Sequence, residues 1–498
     1  MGLTKPIEQN KLSYQGTFMY LKNIIRGGTL MKSTKRCFVF YSFYDRTGIE
    51  AYLEKQAEKG WLLDKIAFNG WHFRRIEPQK LHFSVVYFAR ASVFDPEPSE
   101  AQLSFQDFCE HTGWKLAASN AQMQIFYNEA ADPTPIETDA TLDVAAIHAS
   151  AKKSHLPAFY LSTFTGIFQM LLYLFRLVID PLQLITSNID LFMIIYWLLL
   201  LIFVIVEMSH YHSWHRKAKK AAEIDGSFVT TNSHPYFKIV MLGIIFLAFV
   251  LMLFVTNNSR LSLIAIASIV IVLGLTAILL GISQWMKKLK FSATANRNIT
   301  IILTLFTSFS VTGMLIIGVI IISETLFPEK IPVATYEVNG WTHKIYHDPL
   351  PLTVEDLIET DYDNYSYEIN THNKSFLAEK LEATQRPCLD ALDQPRLDYI
   401  ITTVKCPFVY EWCQNAMLDN FAHDYGRPIP EDDTWEKRVK VDATPWNANE
   451  AYQLELGGEL QTRFLLCYET CIVEIDLNYD GEFTDAHKKI ISEKLGTP

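Results

Sequence analysis

The sequence lacks the short motifs that mark common enzyme active sites, and it contains little cysteine. No Walker A loop, G-x-S-x-G elbow or H-E-x-x-H helix occurs among its 498 residues, so the nucleotide-binding and hydrolytic classes that these motifs define find no support. The seven cysteines are an odd set, for which we expect one disulfide at most. Cys467 and Cys471 are four positions apart in a strand-like run, which places their Cα atoms roughly 13 Å apart and beyond disulfide reach. We predict a protein that is not an enzyme and needs no cofactor.

A cleavable signal peptide is also missing. The first 45 residues contain no uninterrupted apolar core followed by a small-residue cleavage site. We therefore expect the first membrane helix to act as the insertion signal. Residues 1–36 are predicted to be a basic arm, broken at Gly27-Gly28. Met31 precedes the first clear strand, and the sequence leaves Met1 and Met31 open as alternative starts.

Charged residues are rare in the middle of the chain. Five stretches reach the ~20 apolar residues that span about 30 Å of hydrocarbon, and they cover residues 159–179, 189–208, 237–256, 261–284 and 299–323. The first is the weakest because four polar side chains dilute it: Thr163, Thr165, Gln169 and Arg176. Arg176 and Glu207 lie near helix ends, where long side chains can reach the polar interface. Such helices offer ions and protons little to bind, which argues against a transporter.

Basic residues are missing from alternate loops, and this predicts an orientation. The loop 180–188 has none and the loop 257–260 has one. The other flanks are rich in them: Lys152, Lys153, Arg216, Lys217, Lys219, Lys220, Lys287, Lys288, Lys290 and Arg297. By the positive-inside rule, the basic flanks are cytoplasmic. Five crossings of the cell membrane then place the N-terminus in the cytoplasm and the C-terminal domain outside.

The net charge is unevenly distributed along the chain. Residues 324–498 contain 33 Asp or Glu and 15 Lys or Arg, a formal charge of −18; the whole chain carries −11, so residues 1–323 carry +7. This asymmetry agrees with the orientation above. An acidic C-terminal domain is unsuited to nucleic acid, and the lipid bilayer is the partner that we expect.

Residues 37–139 contain an imperfect internal duplication. A helix over 47–59 ends at Gly60, predicted as a left-handed cap, and Trp61 opens strands over 61–67, 71–76 and 81–89. A second helix, over 100–112, ends in Gly113-Trp114, 53 residues after the first such pair, and precedes strands over 114–119 and 123–128. A leading strand is expected over 37–43. The helix-strand-strand repeat predicts a compact α+β domain, followed by a linker over 140–158.

Aromatic side chains are dense in this domain and permit two interpretations. Three tryptophans are candidates for a ligand-binding or partner-binding cleft: Trp61, Trp71 and Trp114. Aromatic residues at strand spacing also form the cores of small domains. We favour the core interpretation.

Four segments give this region a recognisable signature: FYDRTGIEAYLEKQAEKGW (Phe43–Trp61), WHFRRIEP, FQDFCEHTGWKL and QIFYNE. Over Cys37 to Asp139 the chain resembles domain of unknown function 2812, which is found in membrane proteins of Gram-positive bacteria. Members of that family are often encoded beside PadR-type transcriptional regulators. The resemblance implies a link to a regulated membrane-stress or antimicrobial response, with a PadR-type regulator or another cytoplasmic protein as partner. It supplies no catalytic residues.

Residues 324–498 predict a second α+β domain. Asn339-Gly340 suits a type I′ turn between strands over 336–338 and 341–346. Thr353 and Asp356 form a capping-box pattern. Helices are predicted over 407–426 and 485–495. Further strands are predicted over 397–406, 451–456, 460–468 and 471–477.

A calcium site is one candidate in this domain. Asp476, Asn478 and Asp480 match the first half of an EF-hand loop, whose oxygens wrap a hard cation. However, His487 stands where a bidentate glutamate would complete the loop. A turn between a strand and a helix explains the same residues, and we favour it.

Histidines provide two further candidates. Three of them follow the second span and suit a transition metal: His210, His212 and His215. We prefer to interpret them as interfacial residues beside a basic loop. His343 and His347 share a strand face next to Asp348, where they suit a metal or acid-base chemistry. A polar strand face without chemical function explains this pair equally simply, and we favour it.

Together these observations predict a multi-domain α+β protein with a helical transmembrane bundle. Its function is hypothesised to be sensing, signalling or scaffolding, linking an outer domain to a cytoplasmic one. The alternative is a non-catalytic component of a transporter or exporter, and the third is an envelope-modifying membrane enzyme. The ligand and the oligomeric state stay open.

Overall fold

The structure is a computed structural model that describes residues 33–67, 70–231, 235–255, 259–325, 330–338, 340–389, 391, 393–421, 436–478 and 483–496. Two compact units divide the chain between them. The first comprises Met1–Phe159, Glu207–Ile239 and Ser283–Arg297. The second comprises Tyr160–Val206, Val240–Ile282 and Asn298–Pro498. The described residues form a mixed α+β structure, as the sequence predicted.

The N-terminal domain repeats one arrangement of elements. The first copy contains β1 (Thr34–Cys37), α1 (Arg46–Glu58), β2 (Trp61–Ala67) and β3 (Gly70–Arg75). The second contains β4 (His82–Tyr87), α2 (Glu100–His111), β5 (Lys115–Asn120) and β6 (Met123–Asn128). Each copy forms an antiparallel three-stranded sheet, in the orders β1-β3-β2 and β4-β6-β5. The predicted helix-strand-strand repeat is thus a strand-helix-strand-strand repeat.

The leading strand lies earlier than predicted. The sequence pattern placed it over 37–43, whereas β1 ends at Cys37, which pairs with Trp71 next to the start of β3. Beyond Cys37 the partner strand has ended, so the following apolar side chains pack through their rings instead. Phe43 lies edge-on against Tyr87, with ring centres 5.0 Å apart. The alternation of large residues therefore reflects ring packing and not strand pairing.

Two glycines end the two helices in left-handed conformations. Gly60 follows α1 with φ +78°, and Gly113 follows α2 with φ +86°. This conformation is costly for residues with a Cβ atom. A Cβ at Gly60 would also lie 2.8 Å from the backbone oxygen of Ile76, whereas one at Gly113 would meet the side chain of Asn128 at 3.3 Å. The repeated Gly-Trp pairs thus mark equivalent helix ends.

The predicted linker over 140–158 is wrong. Residues Ala140–Ser154 form α3, which Asp139 caps by accepting a hydrogen bond from Thr141 N at 2.8 Å. Ile147 and Ala151 of α3 are each 2% exposed and pack into the core of the N-terminal domain. Apolar residues four apart lie on one helix face, and here that face completes the core.

Long apolar helices follow. They are α4 (Leu156–Ile179), α6 (Asn188–Asp225), α7 (Pro235–Val255), α8 (Ser259–Lys288) and α9 (Ala293–Thr325), with the short α5 (Pro181–Ile185) between α4 and α6. In the part of the chain that is described, four helices, α4 and α6 to α8, are long and apolar enough to cross a membrane. The first four predicted spans fall on these helices, apart from Thr256, which lies outside the described residues. The fifth, 299–323, falls within α9, where residues 311–325 are described by their backbone alone.

These helices expose most of their apolar surface. Only 6% to 11% of each apolar window is buried within the protein. Large side chains such as Phe164, Phe246 and Phe309 are 68% to 78% exposed. Exposing so large an apolar surface to water is unfavourable, whereas the hydrocarbon core of a bilayer would cover it. The helices are therefore consistent with insertion into a membrane.

The C-terminal domain is built on a seven-stranded antiparallel sheet in the order β12-β13-β14-β15-β11-β10-β9. Its strands are β9 (Ser366–Lys374), β10 (Ala378–Arg386), β11 (Arg396–Val404), β12 (Glu436–Val441), β13 (Glu450–Leu456), β14 (Glu459–Cys467) and β15 (Cys471–Asn478). The predicted hairpin is present as β7 (Ala334–Val338) and β8 (Trp341–Ile345). Sequence patterns missed β9, β10 and β12, which are rich in charged and polar residues.

Both faces of this sheet are buried. On one face, α11 (Asp485–Leu495) and Trp446 pack against strands that include β15. On the other, α10 (Tyr410–Phe421) packs together with residues of α5. Successive residues of β14 alternate between the two cores, with Leu465 facing α10 and Leu466 facing α11. A strand buried on both faces explains the continuous apolar run in β14.

We expect Gly60→Ala to lower the free energy of unfolding of the N-terminal domain by more than Gly113→Ala. Both variants incur the left-handed penalty of about 1–2 kcal/mol, but only Gly60→Ala also forces a Cβ against backbone. Urea-dependent proteolysis of the purified full-length protein would measure both losses. Equal losses would contradict the close approach at Gly60.

Candidate functional site

The first unit contains a buried ion pair between residues of two apolar helices. Glu207 of α6 and Lys238 of α7 meet with Nζ 3.0 Å from Oε2. Ser42, from the segment before α1, donates a hydrogen bond to the same carboxylate oxygen at 3.3 Å and accepts one from Lys238. The three residues are 5% to 8% exposed. A charge buried in this way depends on its partner, because water cannot replace it.

The N-terminus of α1 holds the loop that joins α6 to α7. Asp45 caps α1 by accepting a hydrogen bond from Gly48 N at 2.9 Å, and it also accepts one from the Thr231 hydroxyl. Thr47 Oγ1 lies 3.1 Å from Thr231 Oγ1 and accepts a hydrogen bond from Thr231 N at 3.3 Å. One helix cap thus serves both its own helix and a distant loop.

Arg46 connects three elements beside this cap. Its Nη1 lies 2.8 Å from Asp143 Oδ2 on α3, and its Nε lies 3.5 Å from Glu50 Oε1 on α1. Its guanidinium carbon is 5.1 Å from the centre of the Phe228 ring, in the loop after α6. We use the name polar seam for the following residues: Ser42, Asp45, Arg46 and Thr47 with Glu207, Phe228, Thr231 and Lys238.

An aromatic layer continues the seam along α6. Tyr211, 2% exposed, has its hydroxyl 2.8 Å from His148 Nδ1 of α3. The His148 and His215 rings stack with centres 4.0 Å apart. Tyr44 lies against Tyr211 and Trp214, with ring centres 5.1 Å and 5.0 Å away. The C-terminal half of α6 is therefore packed as part of the N-terminal domain's core.

Burial changes the acidity of three groups near the seam. It raises the pKa of Glu50 to about 7, although the Arg46 guanidinium opposes the change. It also raises the pKa of Asp143, again against Arg46. Burial, together with the charge of Lys152, lowers the pKa of His148. All three side chains are therefore shifted toward their neutral forms.

The second unit clamps the connection between α4 and α6. Leu182 and Ile185 of α5 are 5% and 1% exposed and lie in the core beside α10. Ser375, between β9 and β10, donates a 2.6 Å hydrogen bond to the backbone oxygen of Ile185. Asn188, the first residue of α6, accepts one from Phe376 N at 3.0 Å and donates one to Lys374 O at 3.2 Å. We call these residues the α5 clamp.

The three tryptophan candidates occupy structural positions. Trp114 is 4% exposed, and its Nε1 donates a 2.9 Å hydrogen bond to Thr134 O. The Trp61 ring has two cations near it, Lys35 Nζ at 5.2 Å and the Arg75 guanidinium at 5.0 Å. Trp71 is half-buried against the domain core. These contacts favour the core interpretation over a ligand cleft.

Within the described residues, no group of three or more His, Cys, Asp or Glu side chains is placed to hold a metal ion. His215 stacks on His148, His212 lies with its ring centre 5.4 Å from that of Tyr211, and His210 is exposed. On β15, Asp476 lies 3.2 Å from the Thr462 hydroxyl, and Asn478 ends the strand. Asp480 lies outside the described residues.

The other histidine pair lies at the β7–β8 hairpin. The His343 ring stacks on Tyr336 at 5.2 Å, and the His347 ring meets Tyr367 edge-on at 5.4 Å. Asp348 accepts a hydrogen bond from Ile369 N at 2.7 Å, which joins the residues after β8 to β9. His343 lines a cleft of about 410 Å³ in the second unit, whereas His347 does not.

The seven cysteines are free thiols. Burial raises the pKa of Cys413 and Cys471 to about 11 and that of Cys467 to about 12. The thiolate is the reactive form, so these buried thiols are chemically inert at neutral pH. They act as small apolar residues of the two cores in the second unit.

The polar seam was missed by sequence reasoning. Glu207 was expected to extend toward the interface, and this was wrong, because its carboxylate is buried and paired with Lys238. The sequence does hold a signal: opposite charges stand near the facing ends of the second and third spans. No local pattern, however, indicates that Ser42, 165 residues before Glu207, joins the pair.

The arrangement is that of a protein with apolar, membrane-compatible helices attached to two α+β domains. Residues 26–159 match the family model described as Protein of unknown function (DUF2812), so this part of the chain is a domain of that family, as the resemblance predicted. The match includes α3, in agreement with its packing into the domain. No curated protein and no solved structure shows a significant match to the chain.

We expect Glu50→Gln to change how stability depends on pH. The folded-state pKa of about 7 is above the ordinary 4.5, so Glu50 favours folding fully below pH 4.5, and this contribution is lost as pH rises through 7. The loss is on the order of 2–3 kcal/mol. Urea unfolding should show that the free energy of unfolding decreases less between pH 5 and pH 8 in the variant than in the wild-type protein. Glu58→Gln, at an exposed position at the end of α1, should leave the decrease unchanged, because Glu58 does not contribute to the shift of Glu50.

We expect Lys238→Met to destabilise the first unit by about 3–5 kcal/mol, because it leaves the Glu207 carboxylate buried without its cation. Adding Glu207→Met should recover most of the lost stability, since the two apolar side chains need no charge partner. Thermal unfolding of the detergent-purified protein would compare the variants. Lys219→Met, which removes an exposed pair with Glu223, should cost less than about 1 kcal/mol. A double variant no more stable than the single one would contradict the pairing argument.

Proposed function

We propose that the protein is a non-enzymatic, multi-pass membrane protein that couples an outer sensing domain to a cytoplasmic domain. The observation that carries this proposal is the continuity of α6. Its first residue belongs to the α5 clamp, and Glu207, Tyr211 and Trp214 belong to the packed interior of the first unit. A helix held by a folded domain at each end can transmit a shift or rotation between them.

The length of α6 supports this role. Its 38 residues correspond to about 57 Å at 1.5 Å per residue. The hydrocarbon core of a bilayer is about 30 Å thick. The helix is therefore long enough to cross a bilayer and still extend well into the folded domain that binds its C-terminal half.

The grouping of the loops supports the predicted orientation. The basic flanks at 152–153, 216–220, 287–290 and 297 all belong to the first unit, together with the DUF2812 domain. The loop 180–188, which has no basic residue, belongs to the second unit with the acidic C-terminal domain. Under the positive-inside rule, this grouping favours a cytoplasmic N-terminal domain and an extracytoplasmic C-terminal domain in the cell membrane.

Signalling of this kind requires a cytoplasmic partner for the DUF2812 domain. The surface of α2 offers exposed apolar residues, with Leu103 and Phe108 51% and 58% exposed. A PadR-type regulator, which the family resemblance implies, is one partner that this proposal accommodates. An ATPase recovered in equal amounts with the intact protein would instead favour the transporter-component alternative.

We expect that loosening the α5 clamp increases hydrogen exchange around the C-terminal half of α6. The double variant Asn188→Ala/Ser375→Ala removes the side-chain hydrogen bonds that hold α5 and the start of α6. Hydrogen exchange of the full-length protein in nanodiscs should then increase over residues 207–222 and 41–50. These residues pack in the first unit, and α6 is no longer held in place at its N-terminal end. The increase would be measured by mass spectrometry on the same peptides of the wild-type protein.

Asn370→Ala is the matched control. It removes a cross-strand hydrogen bond of 2.8 Å to Thr384 within the same sheet and leaves the α5 clamp intact. It should leave exchange over 207–222 unchanged. If the clamp variant also leaves these peptides unchanged while exchange rises in the outer domain, the coupling proposal fails.

A further inference from the structure

A cleft of about 410 Å³ opens beside the β7–β8 hairpin, next to the paired ends of β9 and β10. Its floor is apolar, since Ile345 and Cys388 are each 8% exposed. The cleft shares no residue with the polar seam or the α5 clamp. Its volume falls within the range of small-molecule sites, which combine an apolar floor with a few polar groups.

The polar groups of the cleft are mainly positive or donors. Arg386, Lys344 and His343 line it, and among its described lining residues Glu368 is the only carboxylate. This contrasts with the formal charge of −18 on residues 324–498. Glu368 lies 3.0 Å from Arg386 Nη2. Because a guanidinium carries five N–H donors, Arg386 can hold Glu368 and an entering anion together.

One wall of the cleft is flat. The Tyr336 and His343 rings face each other across the β7–β8 pair, 5.2 Å apart and inclined by 26°. Stacked rings of this kind provide apolar contact area for the apolar part of a ligand. The Tyr336 hydroxyl accepts a hydrogen bond from Leu389 N at 3.2 Å, so the wall is fixed to the segment that follows β10.

The cleft also lies next to the segment that follows α9. Lys330 pairs with Asp348 and lies over the Tyr346 ring at 4.9 Å, and Tyr346 lines the cleft. Asp348 in turn accepts the hydrogen bond from Ile369 N of β9. A ligand held between the hairpin and the sheet would therefore contact Tyr346, the residue over which Lys330 lies.

We propose that this cleft binds a small organic anion, in which a carboxylate or phosphate group stands beside an aromatic or apolar part. The anionic group contacts Arg386, and the apolar part lies against the Tyr336–His343 wall and the Ile345 floor. This inference rests on the proposed function, because it supplies the outer signal that the coupling requires.

The test titrates benzoate and phenyl phosphate into the full-length protein in nanodiscs, with binding followed by ligand-observed NMR. The neutral benzyl alcohol and the cationic benzylamine serve as probes of the same size. Either anion should bind at least about tenfold more tightly than both comparison compounds, since a charge-assisted hydrogen bond is worth that much or more. Binding of phenyl phosphate alone would identify phosphate as the preferred group, and binding of benzoate alone would identify carboxylate.

Arg386→Gln should weaken anion binding at least about tenfold. Arg396→Gln is the matched control, because Arg396 is equally exposed at 50% and also pairs with a carboxylate, Asp398, but lies outside the cleft. It should leave binding unchanged. Failure of both anions to bind the wild-type protein, equal binding of benzylamine, or an equal loss in the two variants would overturn the proposal.

The assay keeps this inference separate from the coupling proposal. Anion binding is measured at the outer domain and does not depend on α6. Hydrogen exchange over residues 207–222 with bound benzoate or phenyl phosphate then tests the coupling. A bound anion without any change in exchange would contradict the coupling alone, whereas an intact clamp effect without anion binding would contradict the cleft alone.

Discussion

A charge that is buried away from water needs a partner of opposite sign, and the first unit is organised around that requirement. Glu207 and Lys238 come from two different apolar helices and pair with each other, while Ser42 forms a hydrogen bond with each of them. The pair therefore fixes the spacing of α6 and α7 at this level. It also fixes the segment before α1, so the DUF2812 domain is bound to the helices through the same few atoms.

The two domains hold α6 through different chemistry. At its N-terminal end the side chain of Asn188 imitates a backbone amide and pairs with the turn between β9 and β10. Toward its C-terminal end the helix is held by a buried ion pair and by stacked rings around Tyr211. The first attachment uses hydrogen bonds between neutral groups, whereas the second depends on an ion pair that is buried away from water.

Elements with strong local signals were predictable from the sequence. The helix over 485–495 and the strands over 61–67 and 123–128 coincide with α11, β2 and β6, because caps and alternation mark their ends. The Asn-Gly pattern likewise located the β7–β8 hairpin. By contrast, β9, β10 and β12 were not predicted, since their many charged residues give little sign of burial and strand pairing depends on residues of other segments. The polar seam escaped for the same reason, because Ser42 and Lys238 are 196 positions apart.

The α5 clamp has a consequence for how the protein is made. The Ile185 carbonyl is covered by a serine that follows 190 positions later in the chain, so the ribosome delivers the connection long before it delivers the cover. Throughout that interval the sheet that buries the apolar side chains of Leu182 and Ile185 has not yet been made. Completion of the β9–β10 turn supplies the cover for the Ile185 carbonyl. The connection between α4 and α6 is therefore covered only in molecules whose C-terminal sheet has formed.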